Sequence, residues 1–205
     1  MLAPIVAPHQ RSRDLRSPPS TSHAPAVRTF LALVLALALG GCGSGSVASG
    51  STASTETSSS DVVGPTSREQ LVAALPRWGD AIERAPVDEE ASRALASVPA
   101  GAHVDVYLGT WCGDSRREVT RFLRALEHAP EPRPFTVALI GVDRAKQAPG
   151  LPADLDLRYV PTFVVRRGGA EVGRVVESAP RGIERELVDL LTGARAGVIS
   201  GRTDL

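Results

Sequence analysis

The sequence predicts an α/β domain with a central mixed sheet flanked by helices and an N-terminal helical extension. Two observations carry this prediction. Apolar patterns follow the order strand, helix, strand and then strand, strand, helix. The run Phe135–Val142 is nearly continuous in apolar residues, which is typical of a central strand buried on both faces.

The helical extension is expected to begin where the Ser- and Thr-rich part of the chain ends. Ser67–Gln70 has the capping-box pattern that opens a helix. Pro76 is expected to kink or split this helix, because proline lacks the N–H that a helix interior needs. A second short helix is expected to begin at Asp88.

The sheet and its helices follow in order. The predicted elements are a strand at His103–Leu108, a helix at Cys112–His128, the strand at Phe135–Val142, a strand at Thr162–Arg167, its partner at Glu171–Glu177 and a helix from Ile183 to Leu191. Gly168 and Gly169 lie between two strands and predict a hairpin turn. Residues 143–158 are polar and are expected to be irregular or weakly helical.

Composition argues against two classes of function. The chain has 205 residues and a formal net charge of zero. It lacks a basic stripe with interleaved aromatic residues, so nucleic acid is not an expected partner. It also lacks paired cysteines or histidines at metal-ligand spacing, so neither a metal site nor another cofactor is expected.

Residues 1–41 are predicted to be a targeting segment. Basic residues precede Phe30–Leu39, an apolar run that suits a signal peptide but is short for a membrane span, which needs roughly 20 residues. Leu39–Cys42 resembles the lipobox of bacterial lipoproteins. That resemblance implies a lipid on Cys42, cleavage just before it and an anchor in the cell envelope. An ordinary secretory signal with an incidental cysteine is the alternative.

Three further segments are expected after the signal peptide. Residues 42–66 comprise the lipidated cysteine and a flexible tether, because Ser, Thr and Gly cannot bury enough apolar surface to offset chain entropy. A folded domain is expected at 67–195, and a disordered tail at 196–205. Gly43 rather than Asp follows Cys42, which favours the outer membrane facing the periplasm as the location.

Two motifs carry a resemblance to a known family. Thr110–Ser115 reads TWCGDS between the first long strand and its helix, and Tyr159–Phe163 reads YVPTF before the third. Together, in this element order, they resemble the thioredoxin fold, and more closely a thioredoxin-like bacterial lipoprotein. The resemblance covers about Val104–Leu191. It implies that Pro161 has a cis peptide bond and lies against Cys112.

Cys112 is the candidate catalytic residue. A cysteine in the first turn of a helix lies near unpaired N–H groups and the positive end of the helix dipole, which favour the thiolate. Arg116 would add to this effect and Asp114 would oppose it, so the sequence leaves the balance open. The supporting residues expected around the thiol are Trp111, Gly113, Asp114, Ser115, Arg116, Val160 and Pro161.

Two departures from the dithiol members of the family bear on mechanism. Ser115 stands where the second cysteine would be, and Val106 stands where many members carry a buried acid. A mixed disulfide at Cys112 would therefore need an outside thiol to resolve it. Two hypotheses remain open. One is monothiol exchange with an envelope protein or a low-molecular-weight thiol or disulfide, and the other is a redox-inactive binding or scaffold protein.

Overall fold

The computed structural model of the protein describes residues 61–205. Its elements, in chain order, are β1 (Gly64–Thr66), α1 (Arg68–Ala74), α2 (Pro76–Arg84), α3 (Glu89–Ala94), β2 (Ala102–Leu108), α4 (Gly113–His128), β3 (Phe135–Gly141), β4 (Thr162–Arg167), β5 (Ala170–Val176), α5 (Ile183–Thr192) and β6 (Gly197–Ser200). Within this range, none of the helices is long and apolar enough to cross a membrane. The predicted signal peptide, Cys42 and the tether up to residue 60 lie outside the described residues.

The six strands form one mixed sheet in the order β1-β3-β2-β4-β5-β6. Strand β2 runs parallel to β3, to which α4 connects it, and antiparallel to β4. Strands β4 and β5 form an antiparallel hairpin that leads into α5. This arrangement confirms the predicted α/β class and is that of a thioredoxin-like fold.

The two outermost strands differ from the sequence prediction. Strand β1 pairs antiparallel with β3 and lies in what was expected to be the end of the tether. Strand β6 pairs parallel with β5, so the prediction of a disordered tail at 196–205 was wrong for Gly197–Ser200. Both strands are short and are held by backbone bonds to partners distant in sequence.

The helical extension forms as the sequence predicts. Ser67 caps α1, and its side chain and that of Gln70 make both hydrogen bonds of the capping box. Pro76 begins α2 and so separates it from α1, while Asp88 caps α3. Trp78 on α2 is fully buried in the main core.

The main core lies on the face of the sheet that the helices cover. There Phe122 of α4 meets Phe163 of β4 edge to face, with ring centroids 5.4 Å apart. The opposite face carries a smaller apolar cluster around Tyr107, Leu155 and Val164. The irregular segment between β3 and β4 contributes Leu155 to this cluster.

Charged side chains are buried between α4 and α5. In sequence, the charges of Arg116, Arg117, Glu118, Arg121 and Arg124 are typical of a solvated helix face, but the structure differs at Glu118 and Arg121. Glu118 is buried, and Arg121 donates two hydrogen bonds of 2.8 and 2.9 Å to the fully buried Glu184 of α5. Burial raises the pKa of Glu118 above its ordinary value, although Arg117 and Arg121 partly oppose this.

A Glu118→Gln variant is expected to gain stability relative to the natural chain as the pH rises above 4.5, the ordinary pKa of a glutamate. The pKa of Glu118 is raised from 4.5, so the folded protein holds this proton more tightly than the unfolded chain does. Ionisation above that value therefore favours unfolding, and glutamine removes this contribution. Urea unfolding across the pH range measures it, with the exposed Glu83→Gln as the control. A difference that does not change with pH would contradict the prediction.

Candidate functional site

Cys112 lies between the end of β2 and the start of α4. It is the N-cap residue of α4, and its Sγ accepts a hydrogen bond from the backbone N–H of Ser115 at 3.5 Å. The thiol is partly exposed and is the free cysteine of the described residues. The predicted placement of this sulfur at a helix tip is therefore confirmed.

The segment before β4 faces the sulfur. The Val160–Pro161 peptide bond is cis, as the resemblance implied. The Cys112 thiol donates to the carbonyl oxygen of Val160 across 3.3 Å. On the other side of the proline, the backbone N–H of Glu177 donates to the carbonyl oxygen of Pro161 at 2.8 Å. Two sequence-distant motifs thus meet at one thiol.

Trp111 lies beside the cysteine and is fixed by three neighbours. Its Nε1 donates to the carbonyl oxygen of Val142 at 3.1 Å, and the guanidinium of Arg144 lies 5.5 Å from the ring centroid. A Cβ on Gly109 would lie 2.6 Å from the indole, so only glycine allows the ring to pack there. The indole therefore has a defined orientation next to the thiol.

Ser115 is fully buried below Cys112. Its Oγ accepts a hydrogen bond from the backbone N–H of Gly109 at 3.1 Å. The hydroxyl therefore has a structural role, since it satisfies a buried backbone donor at the end of β2. Because serine has a hydroxyl and no thiolate, it cannot attack a mixed disulfide at Cys112 and release the partner.

The other predicted residues of the motif lie at the start of α4. Gly113 is exposed and has open space where a Cβ would be. Asp114 is the acidic residue of the first turn and forms an ion pair of 2.6 Å with Arg117. Arg116 is exposed, and its backbone N–H donates to the carbonyl oxygen of Cys112 at 3.1 Å.

The position at which many thioredoxin-like proteins carry a buried acid is apolar here. Val106 is fully buried in the main core. Asp105 points to the opposite face of the sheet, as strand alternation predicted, and there it accepts hydrogen bonds from Arg166 at 3.2 Å and contacts His103 at 2.9 Å. It is therefore unable to replace a buried acid beneath Cys112.

An N-terminal contact to the TWCGDS motif was not predicted from the sequence. The backbone N–H of Val62 donates to Thr110 Oγ1 at 3.2 Å, and that hydroxyl lies 3.5 Å from Asp61 Oδ1. A Cβ on Gly141 would lie 2.1 Å from the carbonyl oxygen of Val62. This contact had no sequence signal, because it depends on β1 pairing with β3.

A C-terminal contact to the cis-proline segment, made by Arg202, was likewise not predicted. Its guanidinium lies 4.3 Å from the ring centroid of Tyr159 and forms an ion pair of 2.8 Å with Glu177. Both partners flank the cis peptide at Val160–Pro161. Position 202 was expected to be in a disordered tail, so only the structure reveals this support.

The arrangement around Cys112 suits thiol chemistry. Nowhere in residues 61–205 do three His, Cys, Asp or Glu side chains cluster in a way that could hold a metal ion. A partly exposed sulfur at a helix N-terminus can act as a nucleophile toward a disulfide. The carbonyl oxygen of Val160, in the segment before β4, borders the sulfur.

Comparison with known proteins supports the fold assignment. No family model matches the chain. A thioredoxin-like protein of Acanthamoeba polyphaga mimivirus is 26% identical over 99 residues, which are 48% of this chain and 69% of the viral protein. A crystal structure of a protein of unknown function from Pseudomonas aeruginosa superposes with a TM-score of 0.43 and 17% identity, over 60% of this chain and 84% of that one. The viral relative, at low sequence identity, agrees with the thioredoxin-like arrangement of the sheet.

Proposed function

We propose that this protein carries out monothiol disulfide exchange through Cys112. The observation that supports this most directly is the position of Sγ. The sulfur is the cap of α4, is partly exposed and lies 3.3 Å from the carbonyl oxygen of Val160. Because the thiol is partly exposed, a partner disulfide can reach it beside the cis-proline segment.

The reaction proceeds in two exchanges that conserve electrons. The Cys112 thiolate attacks one sulfur of a partner disulfide, forms a mixed disulfide and releases the other sulfur as a thiolate. An external thiol then attacks the partner's sulfur in the mixed disulfide and regenerates Cys112. The external thiol is needed because Ser115 occupies the resolving position. Its chemical class is a protein dithiol or a low-molecular-weight thiol.

Cys112→Ser tests this function. The variant is expected to lose all covalent exchange with a small activated disulfide such as dithiodipyridine, because the sulfur nucleophile is gone. Released thiopyridone measures the rate, and mass spectrometry measures the mixed disulfide. Arg77→Gln is the matched control, since this exposed residue lies on α2 and its change leaves the thiol and the start of α4 untouched. A natural chain that reacts no faster than free cysteine below pH 8 would contradict the proposal.

A redox-inactive binding protein is the second candidate. The observation in its favour is that the site has neither a resolving thiol nor a buried acid, since Ser115 and Val106 take those positions. A binding protein would retain its partner when Cys112 is changed to serine. Capture of the same envelope protein by the natural chain and by Cys112→Ser would therefore favour binding over exchange.

We further propose that the protein is held at the bacterial envelope by a lipid on Cys42, facing the periplasm. The lipobox-like residues before that cysteine support this proposal. Mass spectrometry of the membrane fraction is expected to detect a chain that begins at acylated Cys42. A mature protein that begins at another residue would contradict it.

A further inference from the structure

A groove lies beside the cis-proline segment, on the sheet face opposite the main core. Its volume is about 320 Å³, near the lower end of ligand-binding cavities. Tyr159 and Thr162 form the wall nearest the thiol, and Val176 of β5 lies in its floor. The far wall is formed by Val198 of β6 and Leu205. These last two residues are outside the part of the chain that resembles the thioredoxin fold.

Exposed apolar side chains are concentrated at this groove. Among the described residues, three large hydrophobic side chains are exposed, namely Val63 at 45%, Val198 at 59% and Leu205 at 53%. Two of the three line the groove. An exposed apolar surface of this kind, bordered by polar residues, is typical of an interaction site.

The charged side chains of the groove already have partners. Arg174 forms an ion pair of 2.6 Å with Glu171 and donates to the carbonyl oxygen of Leu155 at 3.2 Å. Arg158 is paired with Asp156 at 3.0 Å. Asp204 likewise is paired with Arg202. The surface left without partners is therefore apolar, which favours an apolar occupant over an ionic one.

The groove adjoins the proposed site along the chain. Tyr159 and Thr162, which line it, stand on either side of Val160 and Pro161, and the carbonyl oxygen of Val160 contacts the Cys112 thiol. An extended chain advances about 3.3 Å per residue, so a side chain two or three positions from a partner's cysteine lies about 7–10 Å from it. A peptide whose cysteine lies at Cys112 can therefore place a neighbouring side chain in the groove.

We propose that the groove receives an apolar side chain from an extended segment of the partner protein, two or three residues from the cysteine that reacts with Cys112. This inference rests on the proposed disulfide exchange and adds a sequence preference to it. Tyr159, Val176 and Val198 supply the apolar contacts. The preference comes from burying apolar surface that is exposed in both free partners.

Synthetic peptides with one cysteine activated as a pyridyl disulfide test the inference. Each peptide carries Leu or Ser two or three positions before or after its cysteine. Cys112 displaces thiopyridone and forms the mixed disulfide, so the released thiopyridone reports the rate. At one or more of these positions the Leu peptide is expected to react about fivefold faster than its Ser counterpart. Equal rates at every position would overturn the inference.

Val198→Asp is expected to abolish the preference for Leu. Val63→Asp is the matched control, because it places the same charge at the other exposed valine outside the groove, and it should keep the preference. Val198→Thr retains the shape and strand propensity of valine and should weaken the preference if the aspartate variant does not fold. A preference that survives in both Val198 variants would overturn the inference.

Dithiodipyridine separates this inference from the proposed function. All these variants should react with this small disulfide as fast as the natural chain does, because it does not reach the groove. Absence of that reaction in the natural chain would contradict the proposed exchange instead. Binding of the Leu peptide with Ser in place of its cysteine, followed by NMR, then tests the groove directly. Unchanged NMR signals of Val198 and Thr162 would overturn the inference that the groove binds an apolar side chain.

Discussion

A Ser115→Cys variant is expected to reduce insulin disulfides catalytically, about tenfold or more faster than the natural chain. Cys112 and residue 115 are three positions apart at the start of α4, and the N–H of Ser115 already contacts the Cys112 sulfur. Neighbours three positions apart on a helix are about 5–6 Å apart at Cβ, and a disulfide needs about 3.5–4.5 Å. Bridging therefore needs a small shift, which Cys112 can make because it is the non-helical cap of α4. The new thiol can attack the mixed disulfide from within the protein and expel the reduced partner. Insulin precipitation and the mass of the oxidised variant measure the gain.

Ser115→Ala is the control for this gain. It removes the hydroxyl that Gly109 N–H bonds without adding a thiol, and it should cost about 1 kcal/mol of stability and give no insulin reduction. The cysteine variant loses the same hydrogen bond from the Gly109 N–H. Comparing Ser115→Ala with Ser115→Cys therefore distinguishes the loss of stability from the gain of a second thiol. A folded Ser115→Cys variant that forms no internal disulfide would show that the site is not arranged for dithiol exchange.

An Arg121→Ala variant is expected to lose about 3 kcal/mol of the free energy of unfolding. Arg121 makes both hydrogen bonds recorded for the carboxylate of Glu184, which is 0% exposed. Removing the guanidinium leaves a buried charge without compensation. The Arg121 side chain is itself 28% exposed, which places the expected loss at the low end for a buried pair. Urea or thermal unfolding measures it.

Arg124→Ala is the matched control on the same helix. Arg124 pairs with Glu127, and both side chains are about 30% exposed, so its loss should change stability by about 1 kcal/mol or less. Replacing both Arg121 and Glu184 by leucine should recover most of the loss, because no charge then remains buried. Equal effects of the two alanine substitutions would mean that the Arg121–Glu184 pair is solvated in solution.

Much of the fold could be predicted because its long elements have strong local patterns. The apolar run at Phe135–Val142 indicated a central strand, and the structure has β3 at Phe135–Gly141. Ser67 and Pro76 indicated the start of α1 and its break from α2, since capping and proline act within a few residues. The pairing of Cys112 with the cis-proline segment could be predicted only from family resemblance, because the contact joins residues 48 positions apart.

The remaining features depend on long-range contacts that leave little pattern in the chain. Strand β1 reads Gly-Pro-Thr, which has no apolar alternation, and it forms because Gly64 lies opposite Gly141. From the sequence alone, Glu184 would be assigned to the surface, because its partner Arg121 is 63 positions away. Arg202 could not be recognised as a support for Tyr159 while β6 was unknown.

The two short outer strands determine how much of the chain a stable soluble domain must include. A protein trimmed to 67–195, the limits that the sequence pattern favours, would lack both β1 and β6. It would leave unpaired amides and carbonyls along β3 and β5, and open rims of this kind recruit further strands from other molecules. Self-association of such a fragment would therefore report the loss of these strands, and would say nothing about the thiol site.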